Sequence, residues 1–590
     1  MSTHVAPTLP HHTPTRVVLI GYGPVGARFV EELLPSVASG AVALTVLGAE
    51  THDAYNRVLV GEYAVGRASR ERLDVIDTAA ARSAGVDVRL GEAVVAIDRS
   101  RQVVRTHHET RVPYDRLVFA TGARANVPTL VGLERTTRHR LARAATAAEL
   151  DRGERALPTG IVALRDLDDA ETVRAAVAGR KRIVVLGAGV LGMEAALAAT
   201  EQGAEVVVVH HGDVPMERNL DHGAGRLLAR AARAGGTLTL PHSRAEEVLF
   251  RHGHHGERIF EALQCADGKQ VPGDLLVLSC GVAPRVELAA SCDLAIERGV
   301  LVDEELRSWT DPAVFAIGDC AQVAARGSAG PDGRVGGGPA GLIGPGWRQA
   351  DALAARLAAE ATGGDPAGMP LAEERPAVVM LKAEGVDVVS GGDVSADPFD
   401  DEFEPTAGTA SQPIGTAASP TTPPDGSAQS ADTDGSTDRV HSPGCAIHAP
   451  APREVTVWAD PAHGAYAKMV TRGGVLEGFV AVGMPRTGAE LTLLFERGSE
   501  LPADRSVLLR LDSDDAGVVA TTDPFAPDAT VCWCNGVTVE RITEAAAAGD
   551  RTVECVGRST RAGTGCGSCK GRITELIART PEAAPAVPVP

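Results

Sequence analysis

The chain has 590 residues, with 57 Lys plus Arg against 77 Asp plus Glu and a formal charge of −20. That length suits roughly three or four domains of ordinary size. The acidic balance, without a long basic run, argues against nucleic acid and anionic membrane as partners.

No stretch reaches the roughly 18 consecutive apolar residues of a membrane span. The opening MSTHVAPTLPHHTPT lacks the basic-then-apolar order of a secretory signal, so a soluble cytoplasmic protein is expected. After a tail over 1–15 that reads as disordered, RVVLIGYGPVGARFVEELL gives a buried apolar strand, a turn carrying Gly21, Gly23 and Gly26, and a helix-compatible pattern. Such glycines serve a tight turn, close approach of backbone N–H groups to a pyrophosphate, and close helix-on-strand packing. A second apolar run, ALTVLGAE, ends at Glu50, 24 residues past Gly26, where a carboxylate suits ribose hydroxyls. One such turn also arises for packing reasons alone.

A second copy raises the signal. KRIVVLGAGVLGMEAALAA carries Gly187, Gly189 and Gly192 and then Glu194, with Gly187 lying 166 residues after Gly21, and it precedes AEVVVVHH. Two phosphate-cradling units imply two dinucleotides, economically a tightly held flavin and an exchangeable nicotinamide. The strand after the second copy ends in Val208, Val209, His210 and His211, so neither an acid nor an arginine occupies its tip, and Asp213 and Arg218 are only nearby.

From 396 to 452 the composition shifts to Ala, Ser, Thr, Pro, Asp and Gly, which cannot bury enough apolar surface to offset chain entropy, and a disordered insertion is expected. Its acidic opening, DPFDDEFEP, reads as a solvated spacer, with docking on a basic partner as the other reading. After it, TVWADPAHGAYAKMVTRGGVLEGFVAVG returns to alternating runs with turn glycines, so 371–395 and 453–520 are expected to form one small C-terminal domain.

Ten cysteines in a chain of 590 residues are too sparse for a disulfide scaffold and suit a reducing compartment. Four of them cluster. Cys532 and Cys534 in CWCNGV, then Cys566 and Cys569 in CGSCKG, flank a segment, VTVERITEAAAAGD, whose pattern suits a short helix. Two close thiolate pairs make an S4 site for zinc or an iron–sulfur cluster. Zinc is redox-inert, whereas a 2Fe-2S cluster accepts the single electrons a flavin can supply, with Gly563, Gly565 and Gly567 offering N–H groups to its sulfurs. Cys265, Cys280, Cys292, Cys320, Cys445 and Cys555 lack partners at ligand spacing, although Cys320 adjoins Asp319. The 17 histidines form no metal or catalytic constellation by spacing.

Three further segments carry a family resemblance. YDRLVFATGARANVP, with Thr121 and Gly122, CGVAPRVELA, with Gly281, and DPAVFAIGDCA, with Asp319, join the two glycine turns in an order that resembles the two-dinucleotide-domain FAD/NAD(P)H oxidoreductases over about 16–360. The resemblance implies FAD-binding parts at 16–150 and 281–365 and an NAD(P)H domain at 151–280. It implies that Asp319 meets the ribityl chain, that Glu194 lies near the nicotinamide and Arg57 near the flavin as the catalytic pair, and that NADH is favoured. Disulfide reductases of this fold carry C-x4-C after the first acidic ligand, but THDAYNRVLVGEYAVG has no cysteine.

AYNRVLVGEY, MERNLDHGAGRLLAR and LKAEGVDVVSGGD instead resemble the NAD(P)H nitrite reductase large subunit and assimilatory nitrate reductase electron-transfer subunits, and 528–580 resembles bacterioferritin-associated ferredoxin. The fold expected is α/β, with two Rossmann-like FAD and NAD(P)H domains, a small α+β C-terminal domain and a small helical 2Fe-2S domain. Nitrite reductase large subunits continue into siroheme and 4Fe-4S domains, whereas this sequence ends about 20 residues after Cys569. The expectation is therefore an NAD(P)H-oxidising electron-transfer subunit whose partner is a molybdenum-containing nitrate reductase catalytic subunit or another redox protein. A stand-alone NAD(P)H:ferredoxin or rubredoxin-type reductase, and a zinc-containing redox-sensing or assembly module, are the alternatives.

Overall fold

A computed structural model describes residues 13–133, 157–330, 332–339, 341–364, 371, 378–383, 385–398, 451–502, 504–512, 525–532, 535–565, 567 and 569–581. Cys445, Cys534, Cys566 and most of the insertion read at 396–452 lie outside the described residues.

The first glycine strand, Thr15–Ile20, forms the centre of a five-stranded parallel sheet. Its neighbours are Val42–Leu47, then Asp87–Arg89, on one side and Arg116–Phe119, then Val314–Ala316, on the other. Val17, Val18 and Leu19 are buried, as a continuous apolar run must be when both faces of a parallel sheet are covered. The helix Pro24–Ala38 follows the turn directly, with Pro at its first position where a missing N–H costs nothing. It packs on the long helix Ile343–Ala361, where the Trp347 indole donates to the Pro24 carbonyl at 3.1 Å and Arg28 pairs with Asp351 at 2.5 Å.

The second copy repeats this plan. Arg182–Leu186 is central in a five-stranded parallel sheet, flanked by Glu205–Val209 and Leu238–Leu240 on one side and by Leu275–Leu278 and Ile161–Val162 on the other. The repeat is deeper than the glycine turns. Each unit inserts a three-stranded antiparallel meander, residues 94–113 in the first and 245–272 in the second, before the strand that pairs with the other side of its central strand. The two units are joined where Ala123–Ala125 pairs antiparallel with Val282–Pro284.

A third sheet is antiparallel and runs in the order Val378–Ala383, Val386–Gly392, Val475–Val482, Ala465–Arg472, Arg453–Asp460, with the helix Pro485–Arg497 against it. The strands before and after 399–450 thus belong to one sheet. This sheet rests on the nucleotide unit through Asp221, which caps the helix His222–Ala234 and takes a hydrogen bond from Tyr466 and an ion pair from the buried Lys468 at 3.3 Å. Burying that ammonium is tolerable because Val394 O also accepts from it, at 2.8 Å.

The last unit is small and helical. A short hairpin of Thr530–Cys532 with Val537–Thr538 precedes the helices Val539–Ala547, Val553–Thr560 and Lys570–Arg579. Thr538 and Thr552 cap the first two by accepting from the N–H groups of Arg541 and Cys555, which places the first helix within the segment expected. Its core gathers Val531, Val537, Ile542, Val556, Ile573 and Leu576 around Cys532 and Cys569.

Candidate functional site

The two glycine turns show which glycines the protein itself requires. At Gly21 (φ +104°) an added Cβ would overlap the Ala120 carbonyl, and at Gly187 (φ +112°) it would overlap that of Ser279. At Gly26 and Gly192 it would strike the carbonyl of the first glycine of the same turn. The middle glycines differ. A Cβ on Gly23 would have Arg57 Nε as its nearest neighbour, at 3.7 Å, and one on Gly189 would meet nothing within 4 Å. Both have ordinary backbone angles, φ −86° and −73°. No protein atom demands glycine there, which fits a position kept bare for close approach of a phosphate. The helices that begin at these points, Pro24–Ala38 and Val190–Glu201, have no side-chain cap, so their first N–H groups fit an anion.

Charge around the first turn fits the same group. Arg165 feels the charges of Arg57, Asp319 and Arg285, and Glu50 feels those of Arg57 and Arg285. Arg57 pairs with Glu50 and donates to the Arg165 carbonyl at 3.3 Å, and Arg165 pairs with Asp319 at 3.3 Å. Burial would raise the Glu50 carboxyl, but Arg57 beside it, the Tyr55 hydroxyl bonded at 2.9 Å and the charge of Arg285 hold it below its usual value. Burial lowers Arg165, and the like charge of Arg57 adds to that, with Asp319 opposing. Arg57 is the guanidinium that reaches the turn, its Nε being the nearest atom to a Cβ built at Gly23, and it brings positive charge to the side of the uncapped helix start. Asp319 also lines a cavity of about 300 Å³ with Gly318, Pro345, Gly346 and Gln349, and Gln349 Oε1 accepts from the Gly318 N–H at 2.7 Å.

Thr121, Gly122 and Gly281 meet at the junction of the two units. The Thr121 hydroxyl donates to Arg285 O at 3.1 Å, the Arg285 N–H donates to Gly122 O at 2.9 Å, and the Asn126 N–H donates to Gly281 O at 2.9 Å. Glu194 lies half-buried on Val190–Glu201, two residues past Gly192. At the tip of Glu205–Val209, His210 is buried, and burial, then the neighbouring His211, lowers its pKa, disfavouring the charged imidazole. Asp213, the nearby acid, is held by His222 Nδ1 at 2.6 Å and His242 Nε2 at 3.0 Å.

In the helical unit Cys532 is 1% and Cys569 7% exposed. A hydrogen bond with the Cys569 thiol is the largest influence on Cys532; with N–H groups of Gly563 and Asn535 it outweighs burial and brings the thiol down to about 6. Such a thiol is a ready metal ligand, and the Gly563 N–H is directed at its sulfur. Cys265, Cys292 and Cys320 are buried, and Cys320, bonded to Ile317 O at 3.3 Å, is pushed up by burial and is an inert packing thiol. Sequence reading did not single out Arg165 or Arg285. Arg285 stands inside the quoted CGVAPRVELA segment, whereas Arg165 has no local signal.

The family described as pyridine nucleotide-disulphide oxidoreductase matches residues 15–335, and the BFD-like [2Fe-2S] binding domain matches 530–579. The chain is 26% identical over 567 residues to a nitrite reductase [NAD(P)H] of Bacillus subtilis, covering 96% of this chain and 58% of that protein. It is 25% identical over 567 residues to the assimilatory nitrate reductase electron transfer subunit of the same organism, covering 95% and 59%. A biphenyl dioxygenase system ferredoxin–NAD(+) reductase component of Paraburkholderia xenovorans is 31% identical over 305 residues, covering 52% of this chain and 67% of that one. The chain thus spans less than two thirds of the nitrite and nitrate reductase relatives. Among solved structures, the reductase in a covalent putidaredoxin reductase–putidaredoxin complex superposes with a TM-score of 0.60 at 19% identity, covering 84% of this chain and 97% of that one, a likeness of fold.

No helix among the described residues is long and apolar enough to cross a membrane. The second match decides between zinc and iron–sulfur, and with it the cofactors are FAD, NAD(P)H and a 2Fe-2S cluster. The chain belongs to the pyridine nucleotide-disulphide oxidoreductase family, as an NAD(P)H-dependent flavoprotein reductase with an appended 2Fe-2S domain.

Proposed function

We propose that this chain oxidises NAD(P)H, NADH by preference, in the cytoplasm and delivers the electrons to a separate terminal reductase, the molybdenum-containing catalytic subunit of an assimilatory nitrate reductase. The observation that carries the core of this reading is the bareness of Gly23 and Gly189, which the protein's own packing does not explain. When bound, FAD would supply hydride acceptance with release of single electrons, and a 2Fe-2S cluster held by Cys532, Cys534, Cys566 and Cys569 would supply one-electron acceptance.

The residues supply binding and orientation. Gly23 and Gly189 leave room for diphosphates, Arg57 brings positive charge to the first of them, and Glu50 accepts from ribose hydroxyls with the lone pairs that Arg57 and Tyr55 leave open. Asp319 orients the chain that carries the flavin, Thr121, Gly122 and Gly281 set the angle between units, and Glu194 faces the nicotinamide. Cys532, Cys534, Cys566 and Cys569 hold the cluster. The strand tip, Val208 to His211, carries no arginine to partner a 2′-phosphate, and burial disfavours a charge on His210, which supports NADH. Likeness to the nitrate reductase electron transfer subunit supports the partner, and the free cysteines of the described residues suit a reducing compartment. A second reading, a stand-alone reductase of a ferredoxin-like carrier, draws on the 31% identity to a ferredoxin–NAD(+) reductase component.

Anaerobic titration with NADH under visible and EPR spectroscopy is the direct test. Flavin bleaching with a reduced 2Fe-2S signal is expected, and bleaching without that signal would refute the internal chain. Nitrate reductase and ferredoxin offered in turn to the reduced protein discriminate the two acceptors. Asp319→Ala removes a charged hydrogen-bond partner worth about 1.5–3 kcal/mol, so FAD should be held ~10-fold or more weakly. A flavin-to-protein ratio unchanged by dialysis would count against Asp319 as a ligand.

A further inference from the structure

Among the described residues, hydrogen bonds join the helical unit to the first dinucleotide unit at Asn56 and at Glu31 with Glu32. Asn56 is 1% exposed and precedes Arg57, the partner of Glu50. Its Nδ2 donates to Gly565 O at 2.8 Å and to Thr564 O at 3.2 Å. Its remaining groups are committed locally. The N–H donates to Leu73 O at 2.6 Å, Oδ1 accepts from Val58 N at 3.0 Å, and the carbonyl accepts from Leu59 N at 3.1 Å. The carboxamide donor is therefore satisfied across the domain boundary by the loop that runs straight into Cys566.

The second contact is a fork. Arg561, in the left-handed conformation (φ +65°) at the end of Val553–Thr560, gives Nη1 to Glu31 at 2.8 Å and Nη2 to Glu32 at 2.6 Å. Both carboxylates stand on Pro24–Ala38, the helix that starts at the first glycine turn. All three side chains are about one-third exposed, so these pairs are partly shielded from solvent. The Arg561 carbonyl accepts from Asn535 Nδ2 at 2.7 Å, and the same amide nitrogen lies 3.7 Å from Cys532 Sγ. One side chain thus joins a cluster ligand to the fork.

We propose that Asn56 and Arg561 are positioning residues that dock the 2Fe-2S domain on the FAD unit, so that electrons pass inside the chain from the flavin to the cluster and leave the protein only from the cluster. The proposal rests on the cofactor assignment above. From Arg57 to Gly565 the path is one peptide step of about 3.8 Å and one side-chain hydrogen bond, and Cys566 follows Gly565 in the sequence. Each NAD(P)H yields NAD(P)+, one proton and two electrons, which cross the docked interface one at a time and reduce two equivalents of a one-electron acceptor.

The test uses the full-length, cofactor-loaded chain carrying Arg561→Glu, which places like charges against Glu31 and Glu32. After rapid mixing with NADH, flavin bleaching should keep its wild-type rate while cluster reduction slows ~10-fold or more, because reversed charges shift the docked population by at least that factor. The cluster's midpoint potential should stay unchanged, and hydrogen exchange in Pro24–Ala38 should rise. Combining Arg561→Glu with Glu31→Arg and Glu32→Arg should restore the cluster's rate, a result that misfolding of the single variant cannot mimic. Cluster reduction at the wild-type rate in Arg561→Glu, or failure of the charge swap to restore it, would overturn the docking role. A wild-type protein lacking the reduced-cluster signal would overturn the functional reading as well, which separates the two failures.

Discussion

Gly187→Ala is expected to abolish NAD(P)H-dependent flavin reduction by breaking the second turn, whereas Gly189→Ala should leave the fold intact and weaken only the nucleotide. At Gly187 the backbone lies at φ +112° and a methyl group would overlap the Ser279 carbonyl, so strain and steric conflict act together. Each costs about 1–3 kcal/mol, a large share of the 5–15 kcal/mol that holds a typical domain folded. The Ser279 carbonyl cannot retreat easily, because Leu275–Leu278 before it is locked in the parallel ladder against Arg182–Leu186. At Gly189 a methyl meets nothing within 4 Å and φ is −73°, so stability should hold or gain slightly. If a diphosphate approaches there, the methyl takes its place and affinity should fall ~10–100-fold, or about 1.4–2.8 kcal/mol. Thermal unfolding read beside NADH affinity checks both; wild-type affinity in Gly189→Ala would remove the diphosphate from that turn.

Cys569→Ser should sever delivery to the acceptor while leaving flavin bleaching by NADH at its wild-type rate. Cys569 begins the helix Lys570–Arg579, and its sulfur sits with Cys532 in the small core of the helical unit. A unit of about 50 residues buries too little apolar surface to be secure by itself. Metal–thiolate bonding contributes folding free energy on the order of 10 kcal/mol in small structural metal domains. Loss of one ligand should therefore erase the reduced-cluster EPR signal and also raise hydrogen exchange across Val539–Ala547 and Val553–Thr560. Acceptor reduction persisting at the wild-type rate would show that electrons leave from the flavin.

Much of this molecule is written locally. The strand–turn–helix units at Gly21 and Gly187, the buried runs Val17–Leu19 and Ile183–Val185, and the helix after Thr538 follow from periodicity, caps and close backbone approach within about 20 residues. The iron–sulfur unit was legible because ligand spacing is short-range, although spacing left zinc and iron–sulfur open until the domain match decided between them, and Cys534 and Cys566 of the expected ligand set lie outside the described residues.

The sequence by itself determined that two dinucleotide units and a thiolate site share one chain, because each is specified by residues a few positions apart. Only the tertiary structure decided that Arg165 comes within the electrostatic reach of Arg57 and Arg285, and that Asn56 meets Gly565 and Arg561 meets Glu31 across 509 and 530 positions. An arginine or asparagine on a loop has no period and no fixed partner spacing. Its role arises when packing of separate sheets removes water from around it and leaves its donors a single set of acceptors.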